Sequence, residues 1–242
     1  LIGIFMVFSP VSASAYVLPG RFVTELMIEH LNLPQQLRVH QRLQLHGRSE
    51  PSEKTETEAV AFQQTVRYRL PGQFRSDIQT DQLQRIHVVN TDRTITIIDG
   101  TVVSSGRDWM TRYKNLFLFP DRQALNRQLA SGGIDVGLSS LGRFEGTVCY
   151  VIGAEYPDLQ AQQLWIEKEG FLPVRWIVKP AEQSGAPPGA EIRFSKWRRA
   201  GKTRYPEKIV FYEKGRRIQA MVVEDIEIRP EIAAEVFDIE AL

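Results

Sequence analysis

One cysteine in 242 residues is too few for an internal disulfide or a cysteine-based zinc cluster. Its solitude does not argue against an oxidising compartment, which permits disulfides without requiring them. Cys149 alternates with Val148 and Tyr150 in a strand-like run and reads as a small core residue. An excess of charge is also missing, since 30 Lys and Arg are offset by 29 Asp and Glu for a net +1. That balance excludes the bulk positive field on which nucleic-acid binding depends. The local basic run Arg198, Arg199, Lys202 and Arg204 reads as a solvated hairpin and not as a phosphate site. Histidines number four, His30, His40, His46 and His87. His40 and His46 share a strand face, but six residues of strand separate them by about 20 Å, too far to ligate one metal. No HExxH, EF-hand loop or phosphate-binding P-loop is present. The stretch Gly137-Leu138-Ser139-Ser140-Leu141-Gly142 lacks the Gly-x-Ser-x-Gly spacing of a nucleophile elbow. No catalytic residue, cofactor or metal is expected.

Long apolar runs are scarce as well. Leu1 to Phe8 is uncharged and apolar, and is followed by Ser9-Pro10-Val11-Ser12-Ala13-Ser14-Ala15. This is the hydrophobic core and the small-residue cleavage pattern of a secretory signal, with Ala13 and Ala15 as A-x-A and the cut before Tyr16. The run is too short to span a bilayer as a helix. Residues 1–15 are therefore read as a truncated signal peptide, with a short membrane anchor as the alternative. Residues 16–242 are read as a single exported domain in the periplasm. The residue right after the expected cut is Tyr16 and not a lipid-carrying cysteine, so a lipoprotein is not expected.

What the chain does have is alternation. One early helix is predicted, with Pro19 in its first turn, Phe22, Val23, Leu26, Met27 and His30 at helical spacing, and Pro34 as its stop. Beyond it the period is two. Leu37, Val39, Leu43 and Leu45 share a face that only Gln41 interrupts. Ser49 to Glu58 is a charged loop, and Val60, Phe62, Val66, Tyr68 and Leu70 form the next apolar face. Between Gly106 and Gly133 the period becomes helical, with Trp109, Met110, Tyr113, Leu116 and Phe117 on one stripe beside Arg107, Arg112 and Lys114. A further helix follows Pro120 through Leu125 and Leu129. Strands then resume to about Val223, with Pro180 to Gly189 as a longer loop. The tally is about ten or eleven short strands, which argues for a mainly β fold: one curved antiparallel sheet forming an incomplete barrel, its concave face covered by the helices. Trp109, Tyr113 and Phe117 then either plug the sheet or form a lid over a cavity; both readings turn the same face inward.

Three local patterns carry a family resemblance. Tyr68-Arg69-Leu70-Pro71-Gly72-Gln73-Phe74-Arg75 resembles the strand, P-x-x-F-R, strand hairpin of the LolA-type periplasmic lipoprotein carriers. Asp99-Gly100 falls where that family has its Asp-Gly turn. Trp165-Ile166-Glu167, followed by Leu172-Pro173-Val174-Arg175, is similar to its W-I-D…P-x-R hairpin, with Glu167 for the aspartate. The closing Phe237-Asp238-Ile239 fits too. The resemblance implies a half-barrel with a helical lid over an apolar cavity that accepts acyl chains. It implies Val60, Phe62, Val66 and Tyr68 as wall and Trp109, Met110, Tyr113 and Phe117 as lid. It marks Pro71, Phe74, Arg75, Asp99, Gly100, Trp165, Pro173 and Arg175 as motif positions. In the carriers an arginine just before the hairpin proline latches the lid; here Leu70 holds that place, and Arg69 points to the opposite face. The implied role is a monomeric periplasmic carrier or binder of lipids or lipoprotein acyl chains, serving outer-membrane lipoprotein sorting or envelope lipid traffic. Its partners would be an inner-membrane donor complex and an outer-membrane acceptor. The same resemblance admits an envelope-stress sensor of the RseB kind that binds a membrane regulator. A structural β protein with a filled core and no ligand is the third reading.

Overall fold

The structure is a computed structural model, which describes residues 17–47, 60–91, 93–104, 109–180 and 185–242. The expected signal segment, the charged loop from Ser49 to Glu58 and Arg107 lie outside the described residues.

The early helix is α1, Gly20–Leu31, closed by Asn32 in the left-handed conformation, whose N–H bonds the Ile28 carbonyl. Alternating side chains then build β1 (Gln36–Leu45), β2 (Val60–Arg69), β3 (Gln73–Gln79), β4 (Gln84–Asn90), β5 (Arg93–Ile98) and β6 (Thr101–Ser104). Two helices follow, α2 (Asn115–Leu118) and α3 (Arg122–Ser131). A second run of strands completes the chain. It consists of β7 (Ser139–Phe144), β8 (Thr147–Ile152), β9 (Gln163–Glu167), β10 (Pro173–Val178), β11 (Ala190–Ala200), β12 (Thr203–Glu213) and β13 (Arg216–Ile228). All 13 described strands join one sheet in the order β6-β5-β4-β3-β2-β1-β13-β12-β11-β10-β9-β8-β7. Every described pairing is antiparallel.

The sheet is open at β6 and β7 and strongly curved. Tyr68 on β2 and Tyr205 on β12 bring their hydroxyls to 2.9 Å although two strands, β1 and β13, lie between them. Three strand spacings span about 14–15 Å on a flat sheet, where side chains stand roughly perpendicular, so ring centres only 6.2 Å apart require the sheet to curl around its inner face. The mainly β, incomplete-barrel architecture expected from the alternation is what the structure shows.

Two strands went unrecognised in the pattern. β6 is four residues long, too short for alternation to register, and β7 begins at the very serines of the Gly137–Gly142 stretch. A Cβ on Gly142 in β7 would stand 2.9 Å from the Trp165 and Tyr156 rings, so glycine leaves the room these two side chains occupy over the strand. The tight turns follow their chemistry: Asp99-Gly100, Glu145-Gly146 and Lys214-Gly215 place both residues at positive φ, the mirror-image turn that hairpins favour.

The chain leaves one sheet edge at β6 and re-enters at the other edge at β7, and the connection crosses the inner face. Its first described part is a 3-10 helix, Trp109–Lys114, which runs into α2. The expected single helical stripe is thus two short pieces with different periods. Asp121 caps α3 by accepting the Ala124 N–H at 2.8 Å. On the outer face the C-terminal turn Ala234–Phe237 packs on β3 and β4, with Phe237 fully buried.

Candidate functional site: a half-filled concave face

The inner face divides into a packed half and a hollow half. In the packed half, Phe117 of α2 stands 4.9 Å from Tyr205, 6.3 Å from Tyr68 and 6.4 Å from Phe194, ring centre to ring centre. Trp109 and Tyr113 each meet Phe211 at 6.0 Å, edge to face. These contacts leave no room for a ligand around Tyr68 and Phe117. Burial holds the Tyr68 and Tyr205 hydroxyls neutral by pushing both far above the ordinary tyrosine range.

Toward the other end of β1 to β4 the interior opens into a cavity of about 230 Å³. Leu43, Phe62, Phe74, Ile78 and Met221 supply most of its apolar wall, and Met110 and Tyr113 of the 3-10 segment roof it. Leu45 and Leu83 lie toward its rim, where Leu45 is 39% exposed. One water needs about 10–15 Å³, so the space is at least about fifteen times that.

The cavity floor is not uniformly greasy. Gln41 Nε2 donates to Gln64 Oε1 at 2.7 Å, and Gln64 Nε2 donates to Ser76 Oγ at 2.6 Å. Ser76 pairs across the ladder with His87, which pairs with Thr96. The His87 Nδ1 to Thr96 Oγ1 distance is 2.8 Å. Of this strip Gln64, Ser76 and His87 line the cavity, with Gln219 from β13, Thr111 from the roof and Arg85 from β4. His87 is pushed down to about 2 by burial, then by Lys114 and Arg85, so its ring is uncharged at any ordinary pH.

Of the eight residues expected to form wall and lid, Phe62, Met110 and Tyr113 meet at the cavity. Val66, Tyr68, Trp109 and Phe117 are buried in the packed half. Val60 is 58% exposed at the start of β2, paired with Leu45. Alternation assigns a side chain to a face but not to a depth along the strand, so it put all of β2 in one wall. The polar strip was visible only as the interruption at Gln41; cross-strand register, which brings Ser76, His87 and Thr96 into one row, was not.

The motif positions sit mostly away from the cavity. Pro71 and the hairpin beside it tie down α2, because the Gly72 N–H donates to the Leu118 carbonyl at 3.1 Å. Leu70 is buried in the main core. Phe74 alone among the motif residues lines the cavity. Arg75 is on the outer face, donating to Asp77 at 2.8 Å and to the Val236 carbonyl at 3.0 Å, and so pins the C-terminal turn. Asp99 accepts the Gln84 N–H at 2.8 Å, bracing the turn it shares with Gly100. Trp165 belongs to a small outer cluster with Cys149, Val151 and Ala154. Arg175 stacks 4.9 Å from the Phe144 ring and 5.4 Å from Trp165, and bonds Glu191 at 2.7 Å. Pro173 opens β10 opposite Ile166.

Among the described residues, no three His, Cys, Asp or Glu side chains lie close enough to hold a metal ion, and no helix is long and apolar enough to cross a membrane.

Solved structures share this architecture. A LolA superfamily protein from Nitrosomonas europaea superposes with a TM-score of 0.58 at 11% identity, over 93% of this chain and 100% of its own. A domain assigned to outer membrane lipoprotein sorting, from Vibrio parahaemolyticus, gives 0.58 at 8% identity, over 92% of this chain and 98% of its own. The fold is LolA-like. A DUF1329 family protein from Desulfovibrio piger shows the same LolA-like arrangement, with a TM-score of 0.56 at 10% identity over 93% and 99% of the two chains. No protein-family model and no curated protein matches the sequence.

Proposed function

We propose that this protein is a periplasmic binder or carrier of lipid acyl chains, acting in outer-membrane lipoprotein sorting or envelope lipid traffic. The observation that carries this reading is the cavity left between the inner face of the half-barrel and the roof residues Met110 and Tyr113. The LolA-like fold supports it, and so does the secretory pattern read in residues 1–15. The volume lies below the usual range for ligand sites, which suits part of one unbranched chain better than a fused-ring lipid. Burying eight to ten methylenes yields about 6–8 kcal/mol gross, at about 0.8 each. Ordering the chain removes much of that, which leaves binding firm enough to carry and weak enough to release. The roof suits release: a 3-10 segment and a four-residue helix owe their stability to packing, not to their own hydrogen bonds.

The test is to purify the exported protein from an envelope without detergent, extract it with organic solvent and analyse the extract by mass spectrometry. Near-stoichiometric acyl lipid is expected, together with uptake of a radiolabelled long-chain fatty acid by the delipidated protein. Narrowing the cavity with Met221→Trp should reduce that uptake. A clean extract combined with no uptake refutes the proposal.

A further inference from the structure

We propose that the ligand is not a bare hydrocarbon tail but an acyl chain bearing an uncharged hydrogen-bonding group, a hydroxyl, amide or ester, that docks on Ser76 and His87. The inference rests on the acyl-chain reading above and narrows it to a substrate class.

A purely apolar cavity has no use for an unpaired polar atom in its wall. His87 is only 2% exposed and lines the cavity, and its Nε2 has no hydrogen-bond partner among the described residues. Its other nitrogen is engaged by Thr96, so the ring is oriented and not free to turn away. A buried polar atom left unpaired costs about 1–3 kcal/mol, and a hydrocarbon chain lying over it would make that loss permanent. Ser76, across the ladder, accepts from Gln64, which leaves its own hydroxyl proton to give. The Gln41, Gln64, Ser76 relay is donor-directed and ends at the cavity, where Ser76 offers a donor and His87 a second polar atom about one side-chain spacing away. A hydroxyl or an amide can serve both at once.

Lys114 and Arg85 disfavour a cationic group here, and the strip of Ser76 and His87 itself carries no charge. The His87 ring stays neutral because burial, Lys114 and Arg85 all oppose its protonation, so it offers no counter-charge. Arg85 also lines the cavity, two residues along β4 from His87 and toward the end where Leu45 is exposed. Arg85 shares its row with Ile78, and Leu43, Phe62 and Leu45 lie still nearer the open end, so the neutral polar strip sits at the inner end of a mostly apolar wall.

The experiment compares a C12 series, dodecane, 1-dodecanol and dodecanamide, each delivered from cyclodextrin in competition with a bound fluorescent fatty acid. The readout is the wild-type to His87→Leu affinity ratio for each ligand, in which delivery and chain hydrophobicity cancel. The expected ratio is about tenfold for the alcohol and amide, the effect of one buried hydrogen bond, and one or lower for dodecane, which gains nothing from the imidazole. Ser76→Ala should repeat the pattern. Wild-type protein gives a reading that no variant can spoil: the His87 imidazole nitrogen shifts in NMR should move with dodecanamide and stay with dodecane. Equal ratios for all three ligands, or equal nitrogen shifts, overturn the inference and leave the acyl-chain reading standing. If none of the three binds and the fluorescent fatty acid does not either, both readings fall.

Discussion

Phe117 and Met110 come from one short roof segment, yet truncating them should have opposite consequences. Phe117 is 1% exposed and touches three aromatic rings in the packed half. Removing such a side chain costs about 3–5 kcal/mol, because the lost transfer energy is joined by a void the neighbours only partly fill. At about 2–4 °C per kcal/mol for a chain of this length, Phe117→Ala should lower Tm by roughly 6–20 °C. Met110 is half-buried over a space that already exists. Its truncation creates no new closed void, so only the transfer term of about 1 kcal/mol remains, or about 2–4 °C. Met110→Ala should nevertheless weaken fatty-acid uptake severalfold, since it removes part of the wall a chain would touch. Thermal unfolding followed by circular dichroism, with fatty-acid uptake measured in parallel, reads both quantities. Equal Tm losses in the two variants would mean the roof is uniformly packed. A Met110→Ala protein with unchanged uptake would mean that Met110 does not face the ligand. Either result defeats the division of the interior into packed and hollow halves.

Three further outcomes are expected. His87 is held near 2 in the folded state against about 6.5 unfolded, so below pH 6.5 only the unfolded chain takes up its proton and stability falls as pH falls. Denaturant unfolding at pH 6.5 and 5 should show His87→Leu losing up to about 2 kcal/mol less than wild type, at about 1.4 kcal/mol per pH unit, and equal losses would contradict the buried neutral ring. Cys149 is fully buried and its thiol is pushed up to about 11, mainly by desolvation, so a thiol reagent at pH 8 should label the protein only after denaturant is added. Immediate stoichiometric labelling of the folded protein would refute that placement. The 2.9 Å hydroxyl contact of Tyr68 and Tyr205 predicts that each single Phe variant costs about 1–2 kcal/mol and that the double variant costs less than their sum. Strict additivity in that cycle would show the bond is not made.

Period-two alternation was enough, by itself, to establish a large antiparallel sheet, because a strand with one buried face must write that face into every second residue. The turns at Asp99-Gly100 and Lys214-Gly215 and the early helix were legible for the same local reasons: positive φ, helical spacing and a proline stop. Local rules do not reach across strands. That Gln41, Gln64, Ser76, His87 and Thr96 form one polar strip depends on ladder register, which is set jointly by several hairpins. That Phe62 meets a cavity while Tyr68, six residues along the same face, meets Phe117 depends on how far the sheet curls and where the roof crosses it. Curvature and crossing point are collective properties of the whole sheet, so only the tertiary structure decided which inward side chains fill the interior and which enclose a space.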